Sequence, residues 1–239
     1  DHFTRIHIAI VIKQYTMLNK IKTNKSVTIE LKDTNLKGNL TIPENAIGLV
    51  IFSHGSGSSR LSPRNNFVSV LLQQKGLATL LFDLLTEEED RDYENRFNIE
   101  LLTTRLVQVT QWVGQQKETR NLPIGYFGAS TGAASALRAA AFLGPKIAAV
   151  VSRGGRPDMA IQDLSKVMAP TLLIVGGRDE AVIEKNEKAF EKLTCERKLE
   201  IIPQATHLFE ETGKLQEVAL LTTNWFAKYL VPQKMKHSV

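Results

Sequence analysis

Ser130 stands at the centre of Gly128-Ala129-Ser130-Thr131-Gly132, a serine with a glycine two residues away on each side. A hydroxyl becomes a useful nucleophile when an imidazole takes its proton and a carboxylate holds that imidazole in the correct tautomer. Two residues further along the chain fit those parts. Asp179 follows Gly176-Gly177-Arg178, and His207 follows Pro203-Gln204-Ala205-Thr206. Together the three groups support acyl transfer, which also needs preorganised N–H donors aimed at the oxygen that becomes negative. The stretch Ser53-His54-Gly55-Ser56-Gly57-Ser58-Ser59 offers one donor in the backbone of Ser56, and Thr131, directly after the serine, offers the other. Gly55-Ser56-Gly57 is not a dinucleotide fingerprint, because the third glycine and the distal acid are absent.

A G-x-S-x-G sequence does this chemistry only in a strained turn from a strand into a helix. Leu122-Pro123-Ile124-Gly125-Tyr126-Phe127 is a short apolar run opened by proline, as expected of a buried strand. Ala133 to Phe142 is a helix of small side chains that can lie close to a sheet. The same alternation runs on through the chain. Ile47–Phe52, Leu77–Phe82, Pro123–Phe127, Ile147–Val151, Thr171–Val175 and Leu199–Ile202 are strand-like runs. Helical periodicity separates them at Asn66–Lys75, Ile99–Gln116, Ser130–Leu143, Ala181–Leu193 and Lys214–Leu230. This repetition predicts an α/β protein with a mainly parallel, doubly wound sheet and helices on both faces. Ser26–Leu31 and Gly38–Ile42 alternate and are split by Lys32-Asp33-Thr34-Asn35, which predicts an antiparallel hairpin at one edge. In a parallel sheet chemistry gathers at the C-terminal strand ends, and Ser130, Asp179 and His207 all fall there. Asp158 and Asp83 are the rival acids: capping accounts for the first and loop bracing for the second. His54 belongs to the glycine-rich loop and His2, His7 and His237 lie near the termini, so His207 is the base.

The bounds are modest. A chain of 239 residues, 43% of them hydrophobic, is expected to form one domain, here residues 26–239, preceded by a basic leader over 1–25. The net charge of +5 is concentrated there: residues 1–40 hold Arg5, Lys13, Lys20, Lys22, Lys25, Lys32 and Lys37 against Asp1, Glu30 and Asp33. No aromatic residues interleave with a basic stripe, which argues against a nucleic-acid partner. Met17 reads as an ordinary start, so residues 1–16 are read as an extension without a function of their own. Ile6–Ile12 is too short for a membrane span and lacks signal-peptide flanks, so no membrane partner is expected and a cytoplasmic location is. Cys195, the one cysteine, reads as an ordinary thiol in a reducing compartment. Glu87-Glu88-Glu89-Asp90-Arg91-Asp92 reads as a solvated loop.

With His54-Gly55-Ser56-Gly57, Gly128-Ala129-Ser130-Thr131-Gly132, Gly177-Arg178-Asp179 and Ala205-Thr206-His207 in this order, the chain resembles the α/β-hydrolase superfamily, and within it the dienelactone hydrolase-like branch, over about Ser26 to Leu230. Dienelactone hydrolases proper use a cysteine nucleophile, and this chain has Ser130. The resemblance therefore implies a general esterase or acyl hydrolase with Ser130, His207 and Asp179 as catalytic residues, Ser56 and Thr131 as oxyanion donors, and no metal or organic cofactor.

Substrate choice is less legible. Only Ser152–Pro170 separates two consecutive strands, too short for a large cap domain, so an open site for a small ester or acyl substrate is expected. Arg153 and Arg156 at a strand end, and Arg60 and Arg64 beside the glycine-rich loop, are candidates for binding a substrate carboxylate or phosphate. An acyltransferase or peptidase with the same residues, and a ligand-binding protein that keeps the fold without turnover, remain as alternatives.

Overall fold

The computed structural model describes residues 20–230. The remainder, which holds most of the basic leader, Met17, His2, His7 and His237, lies outside the described residues.

Eight strands form one sheet in the order β1-β2-β4-β3-β5-β6-β7-β8. They are β1 (Ile21–Glu30), β2 (Asn35–Pro43), β3 (Gly48–Ser53), β4 (Leu77–Phe82), β5 (Ile124–Ala129), β6 (Ile147–Arg153), β7 (Thr171–Gly176) and β8 (Arg197–Ile202). β2 runs antiparallel to both its neighbours, and every other pairing in the sheet is parallel. The hairpin is longer than the sequence suggested. β1 begins five residues before Ser26, so residues 21–25, counted above with the leader, are paired sheet. Its inward alternation was hidden by the polar residues Lys22, Thr23, Asn24 and Lys25.

Among the described residues five helices cover the sheet: α1 (Pro63–Gln74), α2 (Ile99–Gln115), α3 (Thr131–Leu143), α4 (Glu180–Lys192) and α5 (Lys214–Tyr229). Side chains on successive strand residues point to opposite faces, so the strands feed two separate cores. Leu49, Ile51, Tyr126, Val150 and Leu173 pack with Leu106, Val109 and Val113 of α2, the alanines of α3 and Ala189 of α4. Val50, Phe52, Phe127, Ala149, Val151 and Leu172 pack with Phe67, Val68 and Leu72 of α1 and Val218, Ala219 and Phe226 of α5. The first core is thus under α2, α3 and α4, and the second under α1 and α5. α1 starts at Pro63, three residues earlier than its apolar period suggested, because Ser62 caps it by accepting from the Asn65 N–H and Pro63 fits the first helical position.

Between β6 and β7 the chain makes only two short 3₁₀ turns, Pro157–Ala160 and Leu164–Lys166, and no cap domain. Among the described residues no helix is long and apolar enough to cross a membrane.

Candidate active site

The turn from β5 into α3 puts Ser130 at φ 51° and ψ −123°, outside the regions an L-residue favours, at a cost of about 1–3 kcal/mol. Its glycine neighbours make the turn sterically possible. A Cβ on Gly128 would lie 2.4 Å from the Ala133 Cα, and one on Gly132 would lie 2.1 Å from the Ser53 carbonyl oxygen. The elbow is also held from β6. The Ser130 N–H donates to the Arg153 carbonyl (3.2 Å), and the Arg156 N–H donates to the Ser130 carbonyl (3.0 Å). These bonds lock the serine to the segment immediately after β6.

His207 comes to the same segment from the loop after β8. A Cβ on Gly154, at φ 51°, would sit 3.4 Å from both Cε1 and Nδ1 of the imidazole. Asp179, after β7, reaches the same imidazole, with the His207 Nδ1 2.6 Å from its Oδ2. Asp179 is the N-cap residue of α4, yet its side chain makes no capping bond. Its carboxylate serves the histidine instead of the helix, an exchange expected of a functional acid and not of a structural cap. The structure thus brings Ser130, Asp179 and His207 to one edge through Arg153-Gly154-Gly155-Arg156.

The glycine-rich loop after β3 faces the elbow. A Cβ on Gly55 would lie 3.0 Å from the Ser130 Cβ. One expected donor is engaged: the Ser56 N–H donates to the Thr131 Oγ1 (2.9 Å). The hydroxyl therefore sits where an acceptor would bind that N–H, and Thr131 must turn aside or share the donor before Ser56 can bind an oxyanion. Thr131 is also the first residue of α3, so its own N–H has no partner within the helix. His54, left without a role in the sequence, braces this loop. Its Nε2 accepts from the Leu84 N–H (3.0 Å), which places the proton on Nδ1 for donation to the Gly55 carbonyl (3.0 Å). Burial lowers its pKa below 6.5, against smaller raising effects of the Gly55 carbonyl and of Asp83 and Asp90.

The four candidate arginines separate. The Arg60 backbone and guanidinium both bond Asp83, so Arg60 braces the loops. Arg156 is held by Asp158 through Nε and Nη2 at 2.9 and 2.8 Å, which accounts for Asp158. Arg64 meets the exposed Glu210 at 3.0 Å. Arg153 is different. It occupies the β6 face that carries Ala149 and Val151 toward the second core, and only 6% of it is exposed. Its Nε has no partner, its Nη2 is 3.5 Å from the Asn65 Oδ1, and its guanidinium carbon is 6.0 Å from the centroid of Phe209. Burial, and secondarily the charge of Arg64, lowers its pKa to about 10, which leaves it charged at neutral pH. Asn65 and Phe209 escaped the sequence reading. The parity of β6, which aligns residue 153 with Ala149 and Val151, was the available signal that Arg153 points inward.

Among the described residues no three His, Cys, Asp or Glu side chains cluster as a metal site. Cys195 is half-buried, and burial raises its pKa, so it is a poor nucleophile.

The model of the dienelactone hydrolase family matches residues 36–230. The chain is 54% identical to the crystal structure of a dienelactone hydrolase from Anabaena variabilis, with a TM-score of 0.85 over 87% of this chain and 98% of that one. A Mycobacterium tuberculosis protein that carries the provisional name phosphoribosyl transferase is 55% identical over 193 residues, which are 81% of this chain and 44% of that protein. The chain thus spans less than half the length of the curated relatives it matches. Est1E from Butyrivibrio proteoclasticus, in a structure with bound ferulic acid, shares the fold at a TM-score of 0.75 and 18% identity, over 85% of this chain and 98% of that one.

Proposed function

The chain belongs to the dienelactone hydrolase family and is an α/β-hydrolase acting on esters, and from that premise we propose that it cleaves a carboxylic ester of a small substrate through an acyl-enzyme on Ser130. The single observation that carries this reading is the 2.6 Å bond between His207 and Asp179, made by an acid that leaves its own helix uncapped. With Asp179 accepting from Nδ1–H, the lone pair falls on Nε2, the nitrogen that in this reading takes the Ser130 proton. As Oγ attacks the ester carbonyl, its proton passes to Nε2. The resulting tetrahedral oxyanion is bound by the N–H groups of Thr131 and Ser56, the latter released from the Thr131 hydroxyl. Collapse breaks the ester C–O bond, and the imidazolium returns its proton to the departing alkoxide. Water, deprotonated by the same nitrogen, then attacks the acyl-enzyme, and the acid leaves with Ser130 restored. Each step conserves atoms and needs no further reagent.

The short β6–β7 connection supports a site open to small, water-accessible acyl groups. Openness also leaves room for an alcohol or thiol in place of water, so acyl transfer is the competing outcome. The transferase name belongs to a protein of which this chain matches 44%, and it is not carried over, because the family model that spans residues 36–230 is that of a hydrolase.

A fluorophosphonate probe mapped by peptide mass, run beside p-nitrophenyl acetate hydrolysis, tests the reading. Labelling at Ser130 and a loss of turnover of about 10³-fold or more in Ser130→Ala are expected. Retained turnover in the folded variant would sink it, and no labelling of the wild type would favour a ligand-binding role.

A further inference from the structure

The sheet ends in two edge strands, β1 and β8, and an edge strand carries a row of backbone N–H and C=O groups that no neighbouring strand receives. In β8 the direction of each group follows from the bonds at its two ends. The Thr171 N–H donates to the Glu196 carbonyl and the Gly177 N–H to the Ile202 carbonyl, both at 2.8 Å. Backbone groups alternate in direction along a strand, so Lys198, Glu200 and Ile202 turn theirs to β7 while Arg197, Leu199 and Ile201 turn theirs outward. Among the described residues no hydrogen bond reaches those outward groups.

The side chains of β8 are divided just as regularly. Lys198 and Glu200 share the face that carries Ile202 into the second core, and they bond each other at 2.5 Å. Arg197, Leu199 and Ile201 share the opposite face. There Leu199 packs against the first core, the Arg197 guanidinium carbon lies 4.7 Å from the centroid of Phe190, and Ile201 is 42% exposed.

A two-fold axis through Leu199 that brings two β8 strands together antiparallel uses all of these features. Leu199 of each copy exchanges both backbone bonds with the other, and Arg197 exchanges its bonds with Ile201 of the second copy. Lys198 falls opposite Glu200 of the second copy, and Glu200 opposite its Lys198, at the non-hydrogen-bonded positions where facing side chains come closest. Ile201 meets the aliphatic stem of the second copy's Arg197, which covers it. The register has no equal neighbour. Sliding the pair by two residues toward the N-terminus sets Arg197 against itself, and sliding it toward the C-terminus sets Leu199 against Pro203, which has no N–H to give. We infer that β8 is the docking edge for a second copy of this chain, joined across a two-fold at Leu199 into one continuous sheet.

The experiment measures self-association of the full 239-residue chain by sedimentation velocity and light scattering, from micromolar to millimolar concentration. A dimer is expected for the wild type. Glu200→Lys sets lysine against Lys198 at both symmetry-related places and is expected to raise the dimer Kd by about 10- to 100-fold. Lys198→Glu combined with Glu200→Lys exchanges the charges, re-forms both pairs and is expected to return Kd to within about threefold of the wild type. Amide hydrogen exchange locates the interface. On dilution of the dimer the amides of Arg197, Leu199 and Ile201 are expected to exchange faster, while those of Lys198 and Glu200, bonded to β7 in either state, stay protected.

A wild type that remains monomeric throughout would overturn the docking edge. So would a dimer that Glu200→Lys leaves equally tight, or one in which the three outward amides stay unprotected. Protection of those amides in a monomer would show that another segment covers the edge, which also overturns it. If Glu200→Lys does not fold, the charge-exchanged variant and the exchange pattern of the wild type decide.

Discussion

The two sides of the catalytic edge treat charge in opposite ways. On the β4 side, Arg60, Arg96 and Arg105 are each matched with a carboxylate, Asp83, Asp90 and Glu89. On the β6–β8 side Arg156 is matched with Asp158, but Asp179 gives its carboxylate to an imidazole and Arg153 receives none. The first arrangement is what a fold does with charges that only hold loops together. The second keeps the Asp179 carboxylate for the imidazole and leaves the Arg153 guanidinium unmatched. The acidic stretch at Glu87–Asp92, read in the sequence as a solvated loop, in fact supplies the matched side with two of its three carboxylates.

Asp179→Asn tests the unmatched side most severely. The amide keeps the cap shape but no longer favours the tautomer that frees Nε2, and kcat for p-nitrophenyl acetate is expected to fall by about 10³- to 10⁴-fold. A loss below tenfold in a folded variant would show that the His207–Asp179 bond is not what activates the serine.

Arg105→Met examines the matched side. It leaves Glu89 without its cation, and because Glu89 is partly exposed the expected loss is about 2–3 kcal/mol in urea unfolding. The pH dependence sharpens the point. Burial alone would raise the Glu89 pKa, but the Thr86 N–H and Arg105 outweigh it and the folded value lies below 4.5. A carboxylate with a depressed folded pKa stabilises fully above 4.5, and that contribution is lost as pH falls through the folded value. Arg105→Met is expected to flatten this acid limb; an unchanged limb would mean the pair contributes nothing.

Arg153→Met carries the opposite sign. Removing a buried, unmatched charge is expected to raise the unfolding free energy by about 1–2 kcal/mol. A comparable fall would make Arg153 a structural brace and end the contrast. The smallest effect belongs to Arg60→Gln. Asp83 keeps the bond from the residue 60 N–H, so a loss below about 1 kcal/mol is expected in the same urea unfolding.

How far the sequence carried the argument differs between these sides too. The placement of Ser130, Asp179 and His207 at one edge of the sheet was legible because each follows an apolar run that ends there, and those runs announce themselves by composition. The five helices were found within a few residues of their bounds for the same reason. The sequence reading placed the start of β1 five residues too late because Lys22, Thr23, Asn24 and Lys25 are polar on both faces. The arginines were not separable by type. Asp158, two residues from Arg156, was an available hint, but the partner of Arg60 is 23 residues away and could be seen only in space. The bond from Ser56 to Thr131 depends on a side-chain rotamer, which no sequence pattern specifies.

The first turn of α4 starts at Asp179 without a side-chain cap, so its leading amide groups are held by little besides backbone. Helix ends in that condition fray, and amide hydrogen exchange is fastest there. Each fraying event also carries the carboxylate away from His207. Loss of the His207–Asp179 bond is therefore expected to set in some degrees below cooperative melting, with Asp179 drawn away by local opening while both cores are still intact.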